Sequence, residues 1–203
     1  WKRLMDKKAM YDLSYGLYIL TAREGEKDNG CVINTALQVT TTPNRIIIAV
    51  NKQNYTHDMV MRTGEFNVST LSQKAGFDIF QRFGFQSGMD VSKFDGFECP
   101  SAANGIKYVP DVSCSYLSCR VVSATDLGTH TLFLADVTDG VKLDDALPVT
   151  YEYYQKNIKP SKKAVKGYRC RICGYVYEGE VLPDDFICPI CKHGASDFEK
   201  IEG

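Results

Sequence analysis

Residues 17–51 read LYILTAREGEKDNGCVINTALQVTTTPNRIIIAVN, and this stretch sets the architecture of most of the chain. β-Branched and aromatic residues form runs here and further on, and such side chains suit the pleated backbone of a strand. The six predicted strands cover residues 17–23, 31–42, 45–51, 65–71, 112–126 and 130–143. The intervening EGEKDNG and PN are typical of turns. We therefore predict a mainly β domain.

Helical patterns are few and short. We predict an opening helix around residues 6–17, a second beginning at Thr56, and a third over SQKAGFDIFQRF with Ser72 as its N-cap. Many strands with short inserted helices favour a β-barrel.

The bulk composition of the chain is that of a globular protein. It has 203 residues, of which 44% are hydrophobic and 24% charged, with a net charge of −1. That charge predicts no nucleic-acid partner and no anionic membrane surface. No apolar run approaches the roughly 20 residues of a membrane span, and the first twenty residues lack a signal peptide's apolar core. We expect a reducing, cytoplasmic location and no membrane partner.

A lysine-rich segment divides the chain. Residues 156–167 carry five lysines and no acidic residue, which is typical of a solvated linker. We predict one domain at 1–155, a linker at 156–167 and a small domain at 168–203.

The tail holds four of the eight cysteines, in two Cys-x-x-Cys pairs. Cys170 and Cys173 are separated from Cys188 and Cys191 by 14 residues, a spacing that lets both pairs converge on one tetrahedral ion. So small a domain cannot stabilise itself by core burial alone, and metal–thiolate bonds supply a substitute. Four thiolates suit either iron or zinc.

The segments YRCRICGYVYEG and LPDDFICPIC of this tail resemble rubredoxin. The resemblance implies one mononuclear iron held by the four cysteines and cycling between ferric and ferrous states. The connector is shorter than in free-standing rubredoxins and closer to the tail of rubrerythrins. Phe186 stands where tryptophan is common, and Lys192 where glycine is usual. A structural zinc ribbon is the alternative interpretation, and His193 is interpreted as a surface residue.

An anion site is predicted where the strand RIIIAV runs into NKQNYTHDMV. Backbone N–H groups at the helix start, together with Lys52 and the Thr56 hydroxyl, would hold a phosphate. Neither the dinucleotide-binding glycine fingerprint nor the P-loop pattern occurs in the sequence.

Residues 8–155, and 16–72 most strongly, resemble the flavin reductase-like family of FMN-binding split β-barrels. The resemblance implies a homodimer with one FMN per subunit near the interface. The segment along the isoalloxazine ring would comprise Asn29, Gly30, Cys31, Val32, Ile33, Asn34, Thr35 and Ala36. Asn34 or Thr35 would hydrogen-bond the carbonyl edge of the ring. The phosphate would be surrounded by Asn51, Lys52, Asn54, Thr56 and His57.

His130, in GTHTLFLADV, is the candidate catalytic residue. The resemblance places a histidine close to the flavin, where it could contact nicotinamide or move a proton. A strand-edge histidine bonded to backbone is an equal expectation. Residues that could line the ring or the nicotinamide pocket, or serve in core or surface, are Phe83, Phe85, Lys93 and Phe94.

The two halves together resemble the high-molecular-weight rubredoxins of anaerobic bacteria. That resemblance implies an NAD(P)H:rubredoxin oxidoreductase, with NADH or NADPH reducing FMN, FMN reducing the iron, and the iron reducing a flavodiiron-type oxygen or nitric oxide reductase. The alternatives are a flavin reductase that releases reduced flavin, and a non-catalytic binding module with a zinc ribbon.

Overall fold

The computed structural model describes residues 6–160 and 167–201. In this part of the chain, seven antiparallel strands form the larger sheet. They are β1 Tyr18–Glu24, β2 Lys27–Ile33, β3 Ala36–Thr41, β4 Asn44–Asn51, β5 Glu65–Leu71, β6 Ser113–Asp126 and β7 His130–Lys142. Their order across the sheet is β2-β1-β5-β6-β7-β4-β3. The prediction of a mainly β domain is confirmed.

The sheet is curled around one apolar core. Ile33 of β2, at one edge, and Ile48 of β4, near the other edge, belong to the same buried cluster as Phe133 of β7. Helix α1, Tyr55–Thr63, adds Met59 to that cluster. Side chains from opposite ends of the sheet can share a core only if the sheet rolls up, as the barrel prediction required.

A second apolar cluster covers the outside of the barrel. Strand β1 is buried on both faces, with Leu20 in the inner core and Ile19 in the outer cluster. Two helical segments cover that outer face, namely α2, Phe77–Gly84, and the C-terminal helical stretch. The latter consists of α3, Tyr151–Tyr153, and a π-helix, Tyr154–Ile158.

The predicted long strand at 31–42 is wrong, because the chain breaks it at Asn34 and Thr35. The physical reason is topological: β2 and β3 lie at opposite edges of the sheet, so the chain must cross between them. The turn predicted at 24–30 is also too long, since β2 already begins at Lys27.

Two predicted helices are corrected. The opening helix is a 3₁₀-helix, Lys7–Asp12, and α2 begins at Phe77 after the extended residue Gly76. Ser72 does not cap α2; its hydroxyl donates to the Val112 carbonyl (3.1 Å). It also accepts from a backbone N–H two residues on, so it forms a local turn.

Three short strands form a separate small sheet in the described C-terminal residues, in the order β10-β8-β9. They are β8 Gly167–Cys170, β9 Val176–Tyr177 and β10 Phe198–Ile201. Of the predicted linker, residues 156–158 complete the π-helix and residues 161–166 lie outside the described residues. No helix among the described residues has both the length and the apolar character needed to cross a membrane.

Candidate functional site

The four tail cysteines converge as predicted. Among the described residues, Cys170, Cys173, Cys188 and Cys191 are buried and place their sulfurs within 4.8 Å of one another. The closest pairs, Cys170 with Cys191 and Cys173 with Cys188, are each 3.5 Å apart. A tetrahedron with metal–sulfur bonds of about 2.3 Å has edges of about 3.8 Å. The cage therefore fits one tetrahedral ion with no open coordination position.

The two cysteine loops share one backbone design. In each, the residue after the second cysteine is left-handed: Gly174 has φ 81° and Lys192 has φ 64°. Gly174 donates its N–H to the Cys170 carbonyl (2.9 Å), and Lys192 donates to the Cys188 carbonyl (3.0 Å). Glycine adopts this conformation freely, whereas lysine is strained in it. Lys192 therefore takes the backbone role expected of glycine at that position.

Electrostatics favour an ion inside the cage. Burial raises the pKa of the Cys173 thiol, and hydrogen bonding with the neighbouring thiols of Cys188 and Cys191 raises it further. The backbone N–H of Tyr175 acts in the opposite direction, because it donates to the Cys173 sulfur. Four thiolates packed this closely repel one another, so a cation is needed to hold them deprotonated.

Aromatic rings surround the cage. Phe186 lies 4.8 Å from Tyr177 and 5.4 Å from Phe198, measured between ring centroids. His193 directs its Nδ1 to the Cys191 carbonyl (3.0 Å), in accord with its interpretation as a non-ligand. The aromatic packing supplies the low-dielectric surroundings that tune a metal–thiolate potential.

In the barrel, three predicted segments meet at the start of α1. The Asn29 amide donates to the Thr56 hydroxyl (3.0 Å), which joins β2 to the helix. His57 Nε2 lies 2.8 Å from the Thr131 hydroxyl, which joins the helix to β7. Residues 29–31, 51–57 and 129–131 therefore surround one junction.

His130 stands at the same junction, as the strand partner of Asn51. Its Nδ1 lies 2.9 Å from the Thr129 hydroxyl, and the carbonyl of Thr129 accepts the Lys52 N–H (3.0 Å). The predicted catalytic histidine and the predicted phosphate segment are therefore neighbours.

The start of α1 has the features of an anion site. Its N-cap, Asn54, makes no side-chain capping bond, but the His57 N–H already donates to the Asn54 carbonyl (2.8 Å), so an anion would be bound by the N–H groups of Tyr55 and Thr56. The Lys52 ammonium stands beside this turn, in an exposed ion pair with Asp126 (2.6 Å). Such a pair contributes little stability and can give way to an anionic ligand.

Two residues predicted around the phosphate are engaged in packing. The Thr56 hydroxyl, besides accepting from Asn29, lowers the pKa of the buried Cys31 thiol by hydrogen bonding, although burial raises that pKa overall. The buried His57 ring is held between Asp58 (2.8 Å) and Thr131. Their side chains therefore fix α1 against the barrel.

The segment predicted to run along the flavin ring borders the sheet. In the described sheet β2 has β1 as its one neighbour, so the outer edge of its backbone carries no strand. Asn34 is exposed and accepts a hydrogen bond from the Thr35 hydroxyl (3.2 Å). The buried Asn29 Oδ1 has no hydrogen-bond partner among the described atoms. The Gly88 backbone covers this acceptor, since a Cβ there would lie 2.2 Å from it, and the Gly30 carbonyl of the same strand already accepts from Lys93 Nζ (2.8 Å). Beyond these two positions, an edge strand suits a polar planar ligand such as flavin.

Lys93 is a residue whose position the sequence did not reveal. Its side chain is 3% exposed, and its Nζ donates to the carbonyls of Gly30 (2.8 Å) and Phe83 (3.1 Å). Burial lowers its pKa to about 8. Phe83 and Phe94 belong to the outer apolar cluster, and Phe94 also lines a surface cleft of about 530 Å³. A lone lysine in a polar loop gives no sequence signal for such a contact.

Residues 10–162 match the family described as flavin reductase like domain. The chain belongs to the flavin reductase-like family. Residues 168–199 match the rubrerythrin, rubredoxin-like domain, so a rubredoxin-type iron site follows the flavin reductase-like barrel.

One relative of this flavin reductase-like chain matches nearly its whole length, and two further proteins match about three quarters of it. The high molecular weight rubredoxin of Moorella thermoacetica is 34% identical, over 97% of this chain and 100% of the relative. The ferric-chelate reductase (NAD(P)H) of Archaeoglobus fulgidus is 37% identical, over 74% of this chain and 89% of the relative. The structure of a Streptomyces globisporus NADH:FAD oxidoreductase has a TM-score of 0.64 at 21% identity, over 74% of this chain and 93% of that one. The chain is a flavin-dependent oxidoreductase fused to an iron-binding electron carrier.

Proposed function

We propose that this chain is an NAD(P)H:rubredoxin oxidoreductase that uses FMN. In this proposal NADH or NADPH is the reductant, the four-cysteine iron is the internal acceptor, and a flavodiiron-type oxygen or nitric oxide reductase is the external one. The observation that carries it is the covalent union of a flavin reductase-like barrel with a closed four-sulfur cage. A metal in such a cage has no position for substrate and can exchange only electrons.

The two centres are complementary in electron number. When bound, flavin accepts a hydride, and with it two electrons, and releases electrons singly. A rubredoxin-type iron takes one electron at a time. The relative from Archaeoglobus fulgidus is described as an NAD(P)H-dependent reductase of ferric chelates, which supports both the reductant and a ferric acceptor for the barrel.

The chain's own residues would bind and orient the cofactor. Lys52 and the first turn of α1 would bind the FMN phosphate, with Asn51 and Asn54 beside them. Backbone groups of Asn29–Ala36, with the side chains of Asn34 and Thr35, would hydrogen-bond the ring edge. Donors at that edge favour the reduced ring, which carries negative charge there.

His130 would stand beside the ring and contact nicotinamide or hold a proton. Its place next to Asn51 and Lys52 supports this role. Hydride transfer needs little more from the protein than orientation and exclusion of water.

A homodimer in the cytoplasm completes the proposal. Edge strand β3 exposes Leu37 (62% exposed) and Val39 (46% exposed), and apolar side chains on an open edge favour a partner. We place FMN near the interface that this strand would form.

Anaerobic addition of NADH, and separately of NADPH, to the purified chain tests the proposal. We expect the flavin absorbance to bleach first and the ferric–thiolate absorbance to follow. Flavin that bleaches while the iron colour persists would contradict the proposed relay of electrons from flavin to iron. Loss of flavin on dialysis would favour a reductase that releases reduced flavin, and a colourless zinc-filled cage would favour a structural zinc ribbon.

The Cys173→Ser variant tests whether electrons leave the protein through the iron site rather than directly from the flavin. Its flavin should be reduced at the wild-type rate, because Cys173 lies in the small domain, while transfer to an external one-electron acceptor is lost. Cys119→Ser, at a buried cysteine remote from the cage, is the control. Undiminished external transfer by the Cys173 variant would show that electrons leave from the barrel.

A further inference from the structure

One face of the barrel contacts the iron cage directly. Phe85, at the C-terminal end of α2, packs against the four-cysteine cluster together with Ile190. Gln86 directs its Nε2 toward the Ile190 carbonyl (3.5 Å). The Phe77 ring lies 5.9 Å from that of Phe85 and widens this apolar surface. We call Phe77, Phe85 and Gln86 the α2 dock.

The contact is partial, and a cleft of about 700 Å³ remains between the two domains. The α2 dock contributes Phe77 and Phe85 to its walls, and the cysteine loops contribute Ile172, Gly174 and Ile190. A small aromatic contact beside an open cleft is typical of a reversible domain interface.

On the side away from the cage, the α2 dock and the end of α2 pack toward β2, which contains part of the predicted flavin segment. Phe85 also packs on the outer apolar cluster of the barrel, as does Val32 of β2. At Gly84, a Cβ would lie 3.4 Å from the Val32 side chain, so helix and strand are in close contact. The end of α2 therefore lies between β2 and the cage and contacts both, and a short separation favours electron transfer.

The connection between the domains is short. Six residues, 161–166, join Pro160 to Gly167. An extended chain gains at most about 3.6 Å per residue, so Gly167 stays within about 25 Å of Pro160. The π-helix that precedes Pro160 is itself fixed to α2, because the Tyr154 ring lies 4.4 Å from that of Phe80. The tether therefore keeps the cage close to the α2 dock at high effective concentration.

We propose that the α2 dock is the surface on which the iron cage receives its electrons from the barrel of the same chain. This inference rests on the proposed function. Each transfer removes one electron from flavin that NAD(P)H has reduced and converts one ferric ion to ferrous. The ferrous ion must pass this electron to the external acceptor before the iron can accept the second electron from the flavin.

Phe85→Ser tests the dock in anaerobic stopped-flow with NADH. It should slow iron reduction by about tenfold or more, because the cage loses its contact but keeps its tether. Flavin reduction is followed in the same trace, and the ratio of the iron-reduction rate to the flavin-reduction rate should fall by that factor. Met89→Ser is the matched control, since Met89 is an exposed apolar residue (72%) four positions on that does not line the cleft.

Ile190→Ser probes the same contact from the other side. It leaves the barrel sequence intact, and the ferric–thiolate spectrum reports whether the cage has folded. We expect the same selective slowing of iron reduction. Small-angle scattering of the zinc-loaded protein gives a readout without redox chemistry: both variants should raise the radius of gyration, and Met89→Ser should not.

The possible outcomes distinguish a failure of the docking proposal from a failure of the proposed function. If wild-type iron never bleaches after the flavin, the proposed function is wrong. If wild-type iron bleaches and both dock variants match its rate and scattering, the dock is wrong and the relay stands. A wild-type transfer rate that rises in proportion to protein concentration would also overturn the dock, because it would place transfer between separate molecules.

Discussion

Replacing Lys93 with methionine should remove a specific pH dependence of barrel stability. Lys93 is buried, both of its carbonyl acceptors are neutral, and burial lowers its pKa from 10.5 to about 8. Between these values the unfolded chain binds more protons than the folded one, so stability rises with pH. At about 1.4 kcal/mol per pKa unit the whole effect is about 3 kcal/mol, of which about 2.5 kcal/mol falls between pH 7 and pH 10.

The assay is urea unfolding of the full chain, followed by far-ultraviolet circular dichroism at several pH values. Other groups titrate in both proteins, so the difference between wild type and Lys93→Met isolates Lys93. We expect the wild type to gain about 2.5 kcal/mol over the variant between pH 7 and pH 10. The variant also leaves the Gly30 and Phe83 carbonyls without a donor, a cost that is constant with pH. Parallel stability curves would refute the argument.

The cysteine loops and the anion site give two further predictions. Gly174→Ala should destabilise the cage by about 1–2 kcal/mol, whereas Lys192→Gly should stabilise it by about 0.5–1 kcal/mol after the entropy of glycine is counted. The guanidinium midpoint of the iron–thiolate colour measures both, and shifts in the same direction would contradict the shared backbone design. Lys52→Ala should raise the Kd of FMN about tenfold or more by removing a charge-assisted contact. Fluorescence titration should show riboflavin affinity unchanged, and an equal loss for riboflavin would remove Lys52 from the phosphate site.

The strands and the metal cage were accessible from the sequence because their signals are local. The run at 65–71 became β5 with the predicted bounds, since alternating β-branched residues suffice to define a strand. The cage followed from the cysteine spacing alone, because a domain this small has too little apolar core to fold without a metal, and its two Cys-x-x-Cys loops supply the four ligands. Both signals concern neighbours in sequence.

What the sequence did not show depends on distant residues. The break at Asn34 and Thr35 arises from the positions of β2 and β3 in the sheet, which no local pattern encodes. The Lys93 contact joins residues 63 positions apart. The contact of Phe85 with the cage depends on how the two domains meet, and the sequence offered several equally typical roles for that side chain.

The crossing at Asn34 and Thr35 has a mechanical consequence. It carries the chain from one rim of the curled sheet to the other, so in the proposed arrangement a ring lying along Asn29–Ala36 touches both rims. Bound cofactor would then connect the two edges of the curled sheet and stabilise its closed form. Occupancy and rigidity would be thermodynamically linked, and backbone amides of β2 and β3 would exchange with solvent more slowly as free FMN rises above its Kd.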